Sequence, residues 1–304
     1  MKSYYLATLF ACLFFGKSLC AQTDAELDVY RKNFDNILYY TPNEAQRMEK
    51  MKAELPATFF EKKGFYALTK ALEFRSIPFI EFMLAQPGVN IDGTADYTKE
   101  NILAYLPWDQ YKIVKPGTCT QTDTLLEQRK KLTAYLLKKG ASLSHIDANG
   151  NHLMMRAVMN KDLDFLQFLY EINGNELVNS EAGNLLYYAS YVGCIDITKW
   201  LVEHGHDVNM VNKFEGSAIG AAVRRPEIVR YLLSKGANPN LTKPGGWTAL
   251  MYAANYGNTE SLQLLLDAWA DLKAINSRGW DALQVAKEYK QKEVQKLLKK
   301  AMDK

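Results

Sequence analysis

Residues Gly246 to Leu266 read GWTALMYAANYGNTESLQLLL, and GWDALQVAKEYKQKEVQKLLK begins thirty-three residues later, at Gly279. Both stretches open on Gly-Trp-x-Ala-Leu and carry a Leu-Leu pair near the end. The opening glycine recurs at Gly150, Gly183, Gly216, Gly246 and Gly279, at spacings of 33, 33, 30 and 33. Self-similarity at such a period is the signature of a stacked-repeat architecture.

The units agree beyond their first residues. AANYGNTESLQLLLDAWAD aligns with ASYVGCIDITKWLVEHGHD and, with two residues lost, with AVRRPEIVRYLLSKGAN. A further copy, GFYALTKALEFRSIPFIEFMLAQPGVNI, starts at Gly64. The residue types fit a helix pair. Thr248 can cap a helix N-terminus through its hydroxyl. Ala253 and Ala254 let neighbouring helices approach closely. Leu262, Leu265 and Leu266 share one face at spacings of three and four. Gly236 stands where a helix ends in the left-handed conformation. One such pair cannot bury its apolar face alone, whereas stacked neighbours can.

These residues resemble the ankyrin repeat. Gly246, Thr248, Leu250, Ala253, Ala254, Gly257, Glu260 and Leu264 to Leu266 fit that family's pattern, as do the endings KGANPN (Lys235 to Asn240) and HGHDVN (His204 to Asn209). The family's Thr-Pro-Leu-His is degenerate here, with Thr248-Ala249-Leu250-Met251 its nearest copy. The resemblance covers about residues 64–300. It implies an all-α fold, an ankyrin-repeat solenoid of about seven helix-turn-helix repeats with a helical N-terminal cap. The repeats are expected at about 64–92, 93–147, 148–180, 181–213, 214–243, 244–276 and 277–304, together a domain spanning 64–304. The second is expanded: ENILAYL (Glu100 to Leu106) and LLEQRKKLTAYLLKKGA (Leu125 to Ala141) are its expected helices, with an inserted loop at 107–124. Long loops are often functional, and a tolerated surface insertion is the alternative. Residues 22–63 are expected to form the cap, with Thr41, Pro42 and Glu44 as a capping box. The Lys-rich KEYKQKEVQKLLKKAMDK closes the other end.

MKSYYLATLFACLFFGKSLCAQ reads as a secretory signal, with Lys2, an uncharged run from Ser3 to Gly16, then small residues. The run is too short to span a bilayer, which takes about 20 apolar residues. Cleavage is expected near Ala21, giving a periplasmic or secreted protein with no membrane span. Loss of residues 1–21 removes Lys2 and Lys17 from the 37 basic residues and none of the 34 acidic ones, leaving 35 and 34. Of the four cysteines only Cys119 and Cys194 then remain. They are a candidate disulfide across the inserted loop, with two free thiols as the alternative.

A formal net charge of +3 does not point to a nucleic-acid partner. No catalytic or phosphate-binding motif stands out, so the protein is read as no enzyme, with no cofactor. His204, His206 and Asp207 are too loosely spaced for a metal site and are expected in a solvated connection, as are His145 and His152. The resemblance implies that the residue after the opening glycine and the pair before the mid-repeat glycine face the concave surface, where a partner would bind. Carried onto this chain, those positions hold Phe74, Met159, Tyr191, Arg224, Arg225, Trp247, Tyr256, Trp280 and Tyr289. Aromatic residues and Arg are enriched in interface hot spots, while packing between repeats is the competing reading for each ring. The expected function is non-enzymatic capture of another protein in the periplasm, as an immunity-type inhibitor of a secreted toxin or lytic enzyme. The alternatives are an accessory partner that stabilises a periplasmic stress-response enzyme, and a secreted protein that binds a host target.

Overall fold

The computed structural model describes residues 26–91, 102–106, 113–114, 121–122, 125–143, 152–173, 185–212, 216–243 and 245–303. The chain forms two compact units, Met1–Pro107 with Lys131–Ser142, and Trp108–Lys130 with Leu143–Lys304.

In the first unit α1 covers residues 26–40, α2 Glu44–Glu54, α3 Ala57–Glu73 and α4 Ile77–Leu84. The latter part of α5 (Leu126–Lys138) also belongs to it. The expected capping box is replaced by a simpler cap. The Asn43 side chain accepts from the amides of Ala45 and Gln46 at 2.9 and 3.4 Å. Thr41 is buried, and its carbonyl accepts from Arg47 Nε at 2.6 Å. Asn is the better cap of the two, and a residue that precedes proline is disfavoured in the helical conformation. Helix α3 kinks at Lys63, the residue before Gly64. A Cβ on Gly64 would lie 2.9 Å from Val89 Cα, so the glycine admits the chain that follows α4. Phe34, Phe59 and Phe79 are fully buried, with Phe34 and Phe59 rings 5.5 Å apart. Of the stretch ENILAYL, where a helix was expected, the described residues 102–106 contain a 3₁₀ turn, Ile102–Tyr105.

The second unit contains α6 (Leu153–Met159), α7 (Leu163–Asn173), α8 (Leu185–Val192), α9 (Ile195–Glu203) and α10 (Ala218–Ala221). It continues with α11 (Pro226–Ser234), α12 (Ala249–Tyr256), α13 (Thr259–Asp267), α14 (Ala282–Glu288) and α15 (Lys292–Met302). The helices pack as successive antiparallel-type pairs in two rows. Helices α6, α8, α10, α12 and α14 touch in that order as an inner row, and α9, α11, α13 and α15 touch in order as an outer row. The hairpin-like ladders are minor: Ile113–Val114 pairs with Gln121–Thr122, and Val211–Asn212 with Gly216–Ser217.

The repeat chemistry is visible in α12 and α13. Thr248 Oγ1 accepts from the Met251 amide at 3.3 Å and starts α12. Gly257, at φ 70°, ends it, and Asn258 caps α13 through the Ser261 amide at 2.9 Å. Ala253 and Ala254 are fully buried against the neighbouring inner helices, and Leu262 and Leu265 are fully buried as well. Each buried leucine contributes about 1.5–3 kcal/mol. The 30-residue repeat differs. Its inner helix is only Ala218–Ala221, continued by a 3₁₀ turn, Ala222–Arg224, and Pro226 opens the next helix. The missing residues are thus taken from the helix-helix turn and from the length of α10.

Asn side chains tie successive connections together. Asn209 accepts from the Asn238 amide at 2.7 Å and donates to the Gly236 carbonyl at 3.1 Å. Asn240 repeats both bonds with the Asp271 amide and the Trp269 carbonyl, at 2.7 and 3.3 Å. This is the role of the terminal Asn in HGHDVN and KGANPN.

The expectation of solvated histidines is corrected at His206 and His152, while His204 is exposed as expected. His206 is buried at 5% exposure, and its Nε2 hydrogen-bonds with the Tyr170 hydroxyl. Trp200 packs edge-on to Tyr170 at 4.7 Å and stacks on His204 at 3.8 Å, closing over the connection. His152 is also buried, at 4%, and neither ring nitrogen has a hydrogen-bond partner among the described residues. His145 lies outside the described residues.

Candidate protein-binding cleft

Three successive inner helices of the second unit build one cleft of about 340 Å³. Helix α8 supplies Tyr187 and Tyr191, and α12 supplies Tyr252 and Tyr256. Residues four apart on a helix project to the same side. Between them the short α10 and its extension place Gly220, Ala221 and Arg224. Leu241, Lys243 and Trp247 enter from the connection before α12. The floor is low because the middle helix carries a glycine and an alanine where its neighbours carry tyrosines. A Cβ on Gly220 would already stand 3.8 Å from the Tyr252 ring.

The rings are held in defined orientations. Tyr187 and Tyr191 stack with centroids 6.3 Å apart and planes 6° from parallel. Trp247 and Tyr252 lie 5.1 Å apart. Two cations sit on ring faces: Arg224 Cζ is 5.3 Å from the Tyr256 centroid and Lys243 Nζ is 5.2 Å from that of Tyr252. Tyr191 and Tyr256 remain 62% and 50% exposed. Among the described residues lining the cleft there is no Asp or Glu. The arrangement offers apolar ring surface and positive charge in one recess, which suits recognition rather than proton transfer.

Of the nine residues singled out in the sequence, Tyr191, Arg224, Trp247 and Tyr256 meet in this cleft. Arg225 is exposed and lies across Gly193, where any Cβ would come within 2.4 Å of its Nε. Trp280 is half-buried under the Arg278 guanidinium at 5.2 Å. Tyr289 and Met159 are exposed away from the cleft lining. Phe74 belongs to the first unit, where Tyr39, Phe79 and the Arg47 guanidinium surround its ring at 6.1, 6.1 and 4.6 Å. Cys194 is fully buried and disulfide-bonded, while Cys119 lies outside the described residues.

Sequence reasoning overlooked Tyr187, Tyr252 and Lys243. The two tyrosine pairs at a spacing of four were the available signal. It also overlooked Trp269, 88% exposed at φ 62°, in the position that Gly205 and Gly236 hold in earlier repeats. Among the described residues no helix is long and apolar enough to cross a membrane.

Comparison with known proteins agrees with this architecture. The profile of the family described as ankyrin repeats (3 copies) matches residues 126–212 and 217–304, over half of the chain. The protein is similar to the E3 ubiquitin-protein ligase hecd-1 of Caenorhabditis elegans, with 36% identity over 100 residues, 32% of this chain and 4% of that one. It is similar to the putative ankyrin repeat protein FPV034 of Fowlpox virus, with 26% identity over 158 residues, 50% of this chain and 37% of that one. The chain therefore spans well under half the length of these curated relatives. Among solved structures, the human ASB11 ankyrin repeat domain superposes with a TM-score of 0.56 at 20% identity, covering 76% of this chain and 96% of that one. The stacked helix pairs, the capped turns and the matching profile make the chain a member of the ankyrin-repeat family, a scaffold for binding other proteins.

Proposed function

We propose that the protein is an exported, periplasmic binding module that captures another protein through the cleft between α8, α10 and α12. Its role in this reading is that of an immunity-type inhibitor, which occupies a secreted toxin or lytic enzyme before that enzyme acts on the cell. The observation that carries the proposal is the cleft itself. Four tyrosines, a tryptophan and two cations with no ion-pair partner among the described residues converge on one recess, the composition of an interface hot spot. The disulfide at Cys194 supports an oxidising compartment. We assign its partner as Cys119, the other cysteine left after cleavage near Ala21.

The test is capture of a partner from periplasmic extract by the wild-type protein and by a Trp247→Ala/Tyr256→Ala variant. Both side chains are at least partly exposed, so the variant keeps its fold. The expected result is a partner retained by wild type and lost by the variant. Equal retention by both excludes the cleft as the binding surface. Deletion of the gene should sensitise cells to a co-encoded secreted toxin, and full resistance to all such toxins would refute the inhibitor role.

A further inference from the structure

We infer that the cleft recognises an acidic, extended polypeptide segment, one that sets an Asp or Glu carboxylate beside an apolar side chain. This rests on the reading of the cleft as the protein-binding surface and specifies what that surface takes. Arg224 and Lys243 line the cleft and have no carboxylate within ion-pair distance among the described residues. Their contacts are ring faces, Tyr256 for the guanidinium and Tyr252 for the ammonium. A ring face fixes the position of a cation but accepts its N–H groups poorly, so both donors remain available to an incoming oxygen. Elsewhere on the same unit the comparable cation, Arg230, is matched by Glu260 at 3.1 Å. The cleft therefore differs from its surroundings in charge balance.

The aromatic lining also separates an anion from the obvious competitor. A ring of tyrosines and a tryptophan could hold a quaternary ammonium by cation–π contact. Here the faces of Tyr252 and Tyr256 already carry the protein's own cations, so a further positive charge would meet repulsion. A carboxylate instead gains charge-assisted hydrogen bonds from Arg224 and Lys243. The adjoining surface of Tyr191 and Trp247, over the low floor at Gly220 and Ala221, accepts an apolar side chain next to that carboxylate. The volume, about 340 Å³, is at the small end for ligand pockets and suits a short stretch of chain. A nucleic acid is the other polyanion, but the whole chain has a net charge of only +3, without the basic stripe that phosphate backbones require.

The test uses a phage-displayed library of random 12-residue peptides, panned on the full-length protein, with single-stranded oligo-dT as the polyanion comparison. Enriched peptides should carry net negative charge together with an aliphatic or aromatic residue. Their affinity, read by fluorescence polarisation, should fall at least about tenfold for Arg224→Glu and for Lys243→Glu. A peptide with Lys in place of its acids should regain affinity for the charge-reversed variants, which a merely structural effect would not produce. Urea midpoints of the variants should match wild type. Enrichment of neutral or basic peptides, no enrichment at all, acidic peptides indifferent to charge reversal, or tighter binding of oligo-dT would each overturn the inference. The two readings separate cleanly. A captured partner that is lost with Trp247→Ala/Tyr256→Ala but keeps its affinity for Arg224→Glu and Lys243→Glu leaves the binding surface standing and removes the acidic specificity.

Discussion

The buried pair of Arg129 and Asp162 offers the sharpest test of how the second unit is held together. The two are 33 residues apart, and their side chains are 0% and 5% exposed. Asp162 has two duties. One carboxylate oxygen pairs with Arg129 Nη2, and the other accepts from the Phe165 amide at 3.0 Å, capping α7. The guanidinium in turn lies 4.5 Å from the Phe165 ring centroid. Asp162→Asn keeps the size and the capping oxygen but removes the carboxylate charge that pairs with the buried guanidinium. Breaking such a pair costs about 3–5 kcal/mol. Against a total stability of about 5–15 kcal/mol, that is a large share. Asp162→Ala should cost about 1 kcal/mol more, through the lost cap. The double variant Arg129→Met/Asp162→Asn removes both charges while keeping the packed stem and the cap, so it should recover most of the loss. Urea denaturation followed by circular dichroism measures wild type, these three variants and the Arg129→Met single variant. A cost below about 1 kcal/mol for Asp162→Asn, or a double variant as destabilised as the sum of the singles, would show that the two charges are not coupled in stabilising the fold.

Four further outcomes follow from the structure. His152 and His206 are both held down to about 4 from 6.5, chiefly by burial, with the His204 charge a lesser cause for His206. Their neutral forms stabilise the fold fully above pH 6.5, and that contribution should be lost progressively as pH falls to about 4, at about 1.4 kcal/mol per pH unit for each histidine; a flat urea midpoint from pH 7 to 4.5 would contradict it. Trp269 pays for a left-handed backbone with little burial in return, so Trp269→Gly should raise stability by about 0.5–1 kcal/mol while Trp269→Ala changes it by less than about 0.5, and a destabilised glycine variant would contradict this. A non-reducing peptide map should contain a Cys119–Cys194 cross-linked peptide; alkylation of Cys194 in denaturant without reductant would exclude it. Ala221→Tyr should fill the cleft floor and abolish capture of the partner without lowering the stability by more than about 1 kcal/mol, and undiminished capture would place the binding surface elsewhere.

The helix pairs were legible because their signals are local. Thr248, Gly257, Asn258 and the buried leucines each act within one turn of their own position, so a period of 33 announces them. The same logic explains what was hidden. The mid-repeat turn needs a left-handed residue, and Gly193 and Gly257 advertise it. Arg75, Lys161 and Lys290 adopt φ values of 57°, 55° and 58° at comparable turns with no glycine to mark them. There the stacked helices on either side fix the backbone and offset the local strain. His206 looked solvated between a glycine and an aspartate. It is buried because Tyr170, 36 residues earlier, reaches across from the preceding pair. Arg129 and Asp162 were likewise unreadable as partners, since Arg129 looks like an ordinary surface charge on its helix and Asp162 like one in the turn before α7.

The cleft falls between these cases, and its trace in the sequence is an irregularity rather than a match. Where α8 has Tyr187 the middle repeat has Gly220, and where α12 has Tyr252 it has Ala221. The same repeat is the one spaced at 30 residues, so its inner helix is cut to four residues and turns into a 3₁₀ segment that delivers Arg224 to the rim. A regular repeat at that place would have supplied a longer helix and a bulkier side chain, closing the recess between the two tyrosine pairs. Deviation from the repeat therefore does what conformity cannot: it lowers one step of an otherwise even surface. The tyrosines then have a space to face, and a side chain of another protein has somewhere to enter.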